Sequence, residues 1–313
     1  MPKANPRNAA MSKSAAAKST ALKSTALASM MGIAAATASF AWARWSNRSI
    51  QRTDVTVASP LLPQAFDCMR IVHVSDLHNA EFGAGNARLL NAIRRAAPDV
   101  IFITGDLVDS RQTRAEVAVR FVAAAARISP VYYVPGNHES RLDEYPQIEA
   151  SFVRAGATVL ANRSVYLERA GELVRIAGVM DPAFVAPHAR GLAASVMERN
   201  LSCALQRAGG DGCTFTLLLT HRPELLSVYA RHHIDVAFAG HVHGGQIRVP
   251  GVGGLFAPSQ GVLPKLTEGV HVMGCTQLVV SRGLGPSVVP MRVNNRPELV
   301  VVDLRRTAGT PRP

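Results

Sequence analysis

Five short pieces of this chain carry side chains that can do chemistry together: Asp76-Leu77-His78, Gly105-Asp106-Leu107-Val108-Asp109, Gly136-Asn137-His138-Glu139, Thr220-His221 and Gly240-His241-Val242-His243-Gly244. A divalent cation needs oxygen donors and imidazoles on rigid supports. A mixed Asp/Asn/His set without thiolates suits Mn, Fe, Zn or Co better than a structural zinc cage or an all-oxygen calcium site. Taken singly, each piece has an ordinary reading. A D-x-H is a chance loop, a G-D after a strand is a turn or helix cap, and N-H is a left-handed turn pair. G-H-x-H-G says more, because alternate residues on a short extended segment leave both imidazoles on the same side. His73, alone at a strand end, reads as a packed or hydrogen-bonded side chain, and Arg222 as either a phosphate contact or a solvated arginine.

What makes the pieces a set is where they fall. Met69 to Val74 is an apolar, β-branched run that stops at Ser75-Asp76, which predicts a buried strand ending in a loop. Asn86 can cap a helix in which Leu89, Leu90, Ile93 and Ala97 share a face, with Pro98 at its end. Val100 to Thr104 is the next strand, running into Gly105-Asp106. Val117, Phe121, Ala124 and Ile128 then stand at helical spacing, and Val131 to Val134 runs into Pro135-Gly136-Asn137-His138. Right-handed β-α-β-α-β crossovers make these strands parallel and bring their ends to one edge of a sheet, where open α/β folds bind ligands. The second half is richer in strands, at 164–167, 174–177, 214–219, 236–239, 246–249, 278–280 and 299–302. A helix is expected over Pro223 to His232, and a Gly/Pro-dense loop or hairpin region over Pro250 to Pro264. This count fits a two-sheet α/β sandwich better than a single doubly wound sheet.

The net charge of +12 is unevenly placed. Residues 1 to 53 carry eight Lys and Arg and no Asp or Glu, leaving 26 basic against 22 acidic residues in the remainder, a balance of +4. That is a mild positive field for an anionic substrate and does not support a duplex-binding stripe. Residues 1–25 read as a basic disordered tail. Residues 26–43 form an uncharged run just long enough to span a membrane, though poor in large apolar side chains. Ala41-Trp42-Ala43 also resembles a cleavage site, so an anchor, a removed signal and an organellar presequence or plain tail stay open. The basic flank places the N-terminus in the cytoplasm and the folded domain outside it. Residues 44–68 read as linker and entry strand. Of the four cysteines, Cys68 and Cys275 beside apolar runs read as buried thiols, while Cys203 and Cys213 flank a Gly-rich turn and can pair if the domain is exported.

The sequences HVSDLH, TGDLVD, VPGNHE, LLTHRPE, AGHVHGGQ and SRGLG, from about Met69 to Arg305, resemble the calcineurin-like metallophosphoesterase superfamily. They look most like its bacterial membrane-associated branch, distantly related to UDP-2,3-diacylglucosamine hydrolases. The resemblance implies a domain over 69–305 with a short tail at 306–313, and an α/β fold, a four-layer α/β/β/α sandwich of two mixed sheets. It implies two divalent ions, Mn, Fe or Zn: Asp76, His78 and His243 on one, Asn137, His221 and His241 on the other, and Asp106 bridging. It further implies in-line attack on phosphorus by a bridging hydroxide, with His138 assisting the leaving oxygen and Asp109 orienting His138. Glu139, His188, His232, His233 and His271 fall outside the matched ligand positions and read as surface or supporting residues. The segment Asp181 to Val185 reads as a packed surface loop or as a lip for a lipid or aryl group. The expected substrate is a phosphoester, with a phospholipid or lipid-linked phosphoester favoured. A nuclease or cyclic-nucleotide phosphodiesterase is the alternative, disfavoured by 5% aromatic residues, and an inactive scaffold on the same fold is the alternative of another class. The sequence sets no oligomeric state.

Overall fold

Short continuous apolar runs build the centre of this fold, because strands covered on both faces need apolar residues at every position. The computed structural model describes residues 30–34, 37, 38, 40–186, 190–206, 215–286 and 292–309. The first half runs β1 (Gln51–Ser59), β2 (Arg70–Val74), α1 (Ala87–Ala96), β3 (Val100–Thr104), α2 (Ala115–Ala125), β4 (Val131–Val134), α3 (Tyr145–Arg154) and β5 (Ala157–Val159). The second runs β6 (Arg163–Arg169), β7 (Glu172–Gly178), α4 (Ala193–Gln206), β8 (Thr216–Leu219), α5 (Leu226–Arg231) and β9 (Val236–Ala239). Two small hairpins follow, β10 (Arg248–Val249) with β11 (Gly253–Gly254) and β12 (Phe256–Ala257) with β13 (Gly261–Val262). The chain ends with β14 (Gly269–Met273), β15 (Thr276–Val280) and β16 (Glu298–Arg306).

One sheet has the order β1-β16-β2-β3-β4-β5 and the other β14-β15-β9-β8-β7-β6. Both are mixed: β2, β3, β4 and β5 run parallel while β16 is antiparallel to β2, and β7, β8 and β9 run parallel while β6 is antiparallel to β7. Alternation along each strand feeds two cores. Ile101 and Ile103 pack under α1, α2 and α3, while Val100 and Phe102 point between the sheets. Likewise Leu218 and Ala237 pack under α4 and α5, while Leu217, Leu219 and Phe238 meet the first sheet. The result is the expected helix, sheet, sheet, helix stack. Phe102 and Phe238 meet edge to face at 5.0 Å between the sheets, and removing either ring is expected to cost about 3–5 kcal/mol.

Several local expectations change. Asn86 precedes α1 but adopts φ 62 and caps nothing; its Oδ1 accepts from the Phe82 N–H at 2.9 Å. Ala96, not Ala97, completes the buried face of α1, because Ala97 turns left-handed and ends the helix. Within the expected linker and entry strand, residues 51–59 are β1, paired in parallel with all of β16. The expected strand at 246–249 shrinks to two residues. The helices α3 and α4 and the strands β5 and β14 were not expected. Cys68 and Cys275 are exposed, since each sits in a turn beside its strand rather than in it. Cys203 is exposed, and Cys213 and His188 lie outside the described residues.

The segment up to Trp45 forms a separate unit. Its described residues are helical from 30 onward, with Met30, Met31, Ile33 and Phe40 exposed. Among the described residues no helix is long and apolar enough to cross a membrane. Residues 1–29, 35, 36 and 39, which include the basic tail and part of the expected span, lie outside them, as do 310–313.

Candidate metal centre

All five pieces leave the carboxyl ends of strands. Asp76 and His78 follow β2, Asp106 follows β3, Asn137 follows β4, His221 follows β8, and His241 and His243 follow β9. The turns after β2, β3 and β9 are sharp: Asp76, His78, Asp106, His241 and His243 all have positive φ, between 45° and 70°. A left-handed non-glycine residue costs about 1–3 kcal/mol and persists where its surroundings over-determine it. Here they do. The N–H groups of Asp76 and His78 donate to the carbonyls of Gly105 and Asp106 at 3.0 Å, tying the first two loops together. The His241 N–H donates to the Asp76 carboxylate at 3.0 Å, and the His138 N–H to Asp106 Oδ1 at 2.8 Å. Two glycines permit the approach. A Cβ on Gly240 would fall 1.8 Å from Ser75 Oγ and 2.2 Å from Asp76 Oδ2, and one on Gly136 would fall 2.3 Å from Asp106 Oδ1.

Two groups of potential ligands result, Asp76 with His78 and His243, and Asp106 with His221 and His241. In the first, His243 Nε2 is 3.3 Å from Asp76 Oδ1 and 3.2 Å from His78 Nε2. In the second, His221 Nε2 is 3.2 Å from Asp106 Oδ2. Asp106 Oδ2 also lies 3.6 Å from His78 Nε2, so this one oxygen faces both groups. His138 is gathered as well, within reach of His78 and Asp106. The sequence reading put His241 and His243 on one side of an extended segment. Instead, left-handed turns at both residues send His241 to His221, ring centres 4.9 Å apart, and His243 to His78, 5.0 Å apart.

The donor set fits divalent cations. Among the described residues Asn137 Oδ1 is buried without a hydrogen-bond partner, a costly state for a polar atom unless something else is to meet it. Donor spacings of 3.2–3.3 Å are those of ligands around a centre with bonds of about 2.0 Å. The charge balance agrees. Burial pushes the Asp76 and Asp106 carboxyls up, but the neighbouring histidines hold both well below the ordinary range, so both are ionised. Burial lowers His221, yet Asp106 more than reverses this and raises it to about 10. In the metal-free protein a protonated His221 therefore offsets buried carboxylate charge, and a cation would displace that proton. His78 is held down to about 3 chiefly by burial, and burial with the Arg222 charge holds His241 down, so both are neutral imidazoles ready to ligate.

Of the surrounding residues, Glu139 takes the supporting place the sequence reading allowed it, while Asp109 and Arg222 depart from that reading. Glu139 is fully buried and accepts from the backbone N–H groups of Asp106 at 2.9 Å, Val108 at 3.1 Å and Gly136 at 2.9 Å, binding two ligand loops together. Burial and the Asp106 charge push its carboxyl up to about 8, against two of those N–H donors. Asp109 does not hydrogen-bond His138. Its carboxylate is engaged by Arg111 at 2.6 Å and lies 3.4 Å from His138 Nδ1, which instead accepts from the Ser110 N–H at 3.1 Å. Burial pushes Asp109 up, and Arg111 more than reverses it, to about 2. Arg222 is neither solvated nor free for phosphate. Asp181, buried and capping the turn 182–184, grips it through Nε and Nη2 at 2.5 and 2.8 Å, and its Nη1 lies 3.0 Å from His241 Nε2. That explains the loop from Asp181, a packed turn with Val185 exposed. The sequence reading did not single out Arg292, which is buried with Nη2 at 3.2 Å from His243 Nδ1. His73 is packed as expected, bonded to Thr104 Oγ1 at 2.8 Å.

Residues 69–245 match the family model of the calcineurin-like phosphoesterase. The chain belongs to this family. It is a metallophosphoesterase, a hydrolase of phosphoric esters. It is 27% identical to the uncharacterized metallophosphoesterase YkuE of Bacillus subtilis, over 88% of this chain and 93% of that protein. It is 27% identical to the phosphodiesterase YaeI of Escherichia coli, over 75% and 82%. A Bos taurus protein named transmembrane protein with metallophosphoesterase domain is also 27% identical, over 81% of this chain and 56% of that protein.

Proposed function

We propose that this metallophosphoesterase uses a dinuclear centre, with Asp76, His78 and His243 holding one divalent ion, Asn137, His221 and His241 the other, and Asp106 shared. The observation carrying this reading is Asp106 Oδ2, which faces a histidine of each group while its other oxygen is fixed by the His138 N–H. Bound divalent cations supply a water nucleophile of lowered pKa and positive charge against the phosphoryl oxygens. His138 supplies the proton for the leaving oxygen. As an imidazolium, with its Nδ1–H facing Asp109 Oδ1 at 3.4 Å, His138 gives its Nε2 proton to the leaving oxygen and returns to the neutral imidazole, and burial, which keeps the ring's pKa below its ordinary value, favours that release. Asp109 acts on His138 through its charge and by holding Arg111.

The ester itself is proposed to be a phospholipid or lipid-linked phosphoester. Support comes from the two hairpins immediately after the ligand loop, which leave Val249, Val252, Phe256, Val262 and Leu263 exposed within about twenty residues of His243 in sequence. Membrane association and a domain outside the cytoplasm are proposed from the apolar run 26–43 and its basic flank, and the bovine relative's name agrees with the former.

Elemental analysis of purified, gently loaded protein tests the centre, with two ions per chain expected. One ion with full activity would sink the dinuclear reading. Asp106→Asn should lower occupancy of both sites, since it weakens an oxygen common to them. A lipid phosphoester hydrolysed no faster than a short-chain phosphoester of the same linkage removes the lipid assignment and leaves the metal chemistry standing.

A further inference from the structure

Away from the metal centre, the start of β1 and the outer face of α1 enclose an open cavity of about 360 Å³. Four arginines line it: Arg48 and Arg52 from the chain entering and beginning β1, and Arg88 and Arg95 from α1. Arg88, Ala92 and Arg95 stand four and three residues apart, so the helix presents them on one face. Ile50 and Ala92 give the cavity an apolar component, and Ser49 and Asn91 add polar groups. Lining of this kind suits an amphiphile with an anionic head.

Charge is the informative feature. Among the described residues no carboxylate lines the cavity. Arg52 is paired with Asp54 at 2.6 Å, but Arg48, Arg88 and Arg95 have no ion-pair partner among the described residues. The N-terminal residues cannot supply one, because residues 1 to 53 contain no Asp or Glu. Like charges gathered without acids repel one another, and arginine forks are matched geometrically to phosphate oxygens. Position in the chain narrows the occupant further. Arg48 lies five residues beyond the end of the apolar run 26–43, where a basic cluster meets the headgroups of any bilayer that run engages.

We propose that this cavity binds the headgroup phosphate of an anionic glycerophospholipid, separately from the catalytic centre. The arginine forks hold the phosphate oxygens, and Ile50 and Ala92 adjoin the glycerol end. The site rests on residues distinct from the metal ligands, so it stands or falls apart from the hydrolytic reading.

The test measures co-sedimentation of the full chain with phosphatidylcholine vesicles, with and without phosphatidylglycerol. Arg88→Glu/Arg95→Glu is compared with Arg120→Glu/Arg127→Glu, which makes the same charge change outside the cavity. Hydrolysis of a soluble aryl phosphoester serves as the folding control and should be unchanged in both. The preference for phosphatidylglycerol vesicles should fall by at least about 30-fold in the cavity variant, the contribution of the two arginines lost before the added carboxylates are counted, and far less in the other. Equal losses in the two variants, or none in the first, overturn the proposal. Binding of glycerol 3-phosphate to the wild type, with no preference for phosphatidylglycerol vesicles, overturns the lipid assignment.

Discussion

Glu139 offers the sharpest test of how this centre is built. Its Oε2 accepts from the N–H groups of Asp106 and Gly136, both at 2.9 Å, and its Oε1 from the N–H of Val108 at 3.1 Å. A glutamine of the same shape has only one acceptor oxygen. If that oxygen takes the pair, the amide nitrogen is left facing the Val108 N–H, donor against donor. One buried N–H then loses its partner, which costs about 1–3 kcal/mol. For a domain of this size each kcal/mol moves Tm by about 2–4 °C, so Glu139→Gln should melt roughly 2–12 °C lower. Glu139→Ala orphans all three N–H groups, about 3–9 kcal/mol, against a total stability of about 5–15 kcal/mol, and is expected to fold poorly. The glutamine variant is therefore the informative one. Scanning calorimetry of its metal-free form reads the stability, and elemental analysis after loading reads the centre. Metal affinity should fall as well, because the loops carrying Asp106 and Asn137 lose the carboxylate that joins them. An unchanged Tm together with full metal loading would refute the argument that Glu139 holds the loops.

Three further outcomes follow from the geometry. His138→Ala should keep its metals while losing about 10²–10⁴-fold in rate on an alkyl ester and clearly less on a p-nitrophenyl ester, whose leaving group departs without a proton; equal losses on both would reject proton donation. Gly240→Ala puts a methyl group 1.8 Å from Ser75 Oγ and 2.2 Å from Asp76 Oδ2; it should lower Tm and metal occupancy together, and a fully loaded variant of normal stability would contradict that packing. The metal-free protein should lose stability as pH rises. His221 is raised from 6.5 to about 10 in the fold, so its contribution is complete below 6.5 and fades up to about 10. Melting curves from pH 6 to 10 should show that decline in the metal-free protein and a flatter profile when loaded, where His221 no longer carries a proton; parallel profiles would count against His221 as a ligand.

The sequence by itself determined the strands that carry the site. The runs 100–104, 131–134 and 236–239 are read to the residue, because a strand buried on both faces is apolar almost throughout and here stops where Gly or Pro begins. It also determined which chemistry-bearing residues stand at the strand ends, since a loop residue next to a buried strand has a fixed place at the sheet's edge. How those residues group around metals came from likeness to a family, not from spacing. Tertiary structure decided what local pattern does not encode. β1 and β16 pair over nine positions although some 247 residues separate them, and a short polar-flanked run gives no sign of so distant a partner. Helix α3 mixes buried Tyr145, Ile148 and Phe152 with an early proline, too weak a period to stand out. The divergence of His241 and His243 depends on two left-handed turns held by Asp76 and neighbouring loops. Glu139, Asp181 and Arg292 resemble surface charges in a linear reading. Only the folded chain buries them, and once water is excluded each must find hydrogen-bond partners, which here are the ligand loops, the arginine beside His241 and the ring of His243.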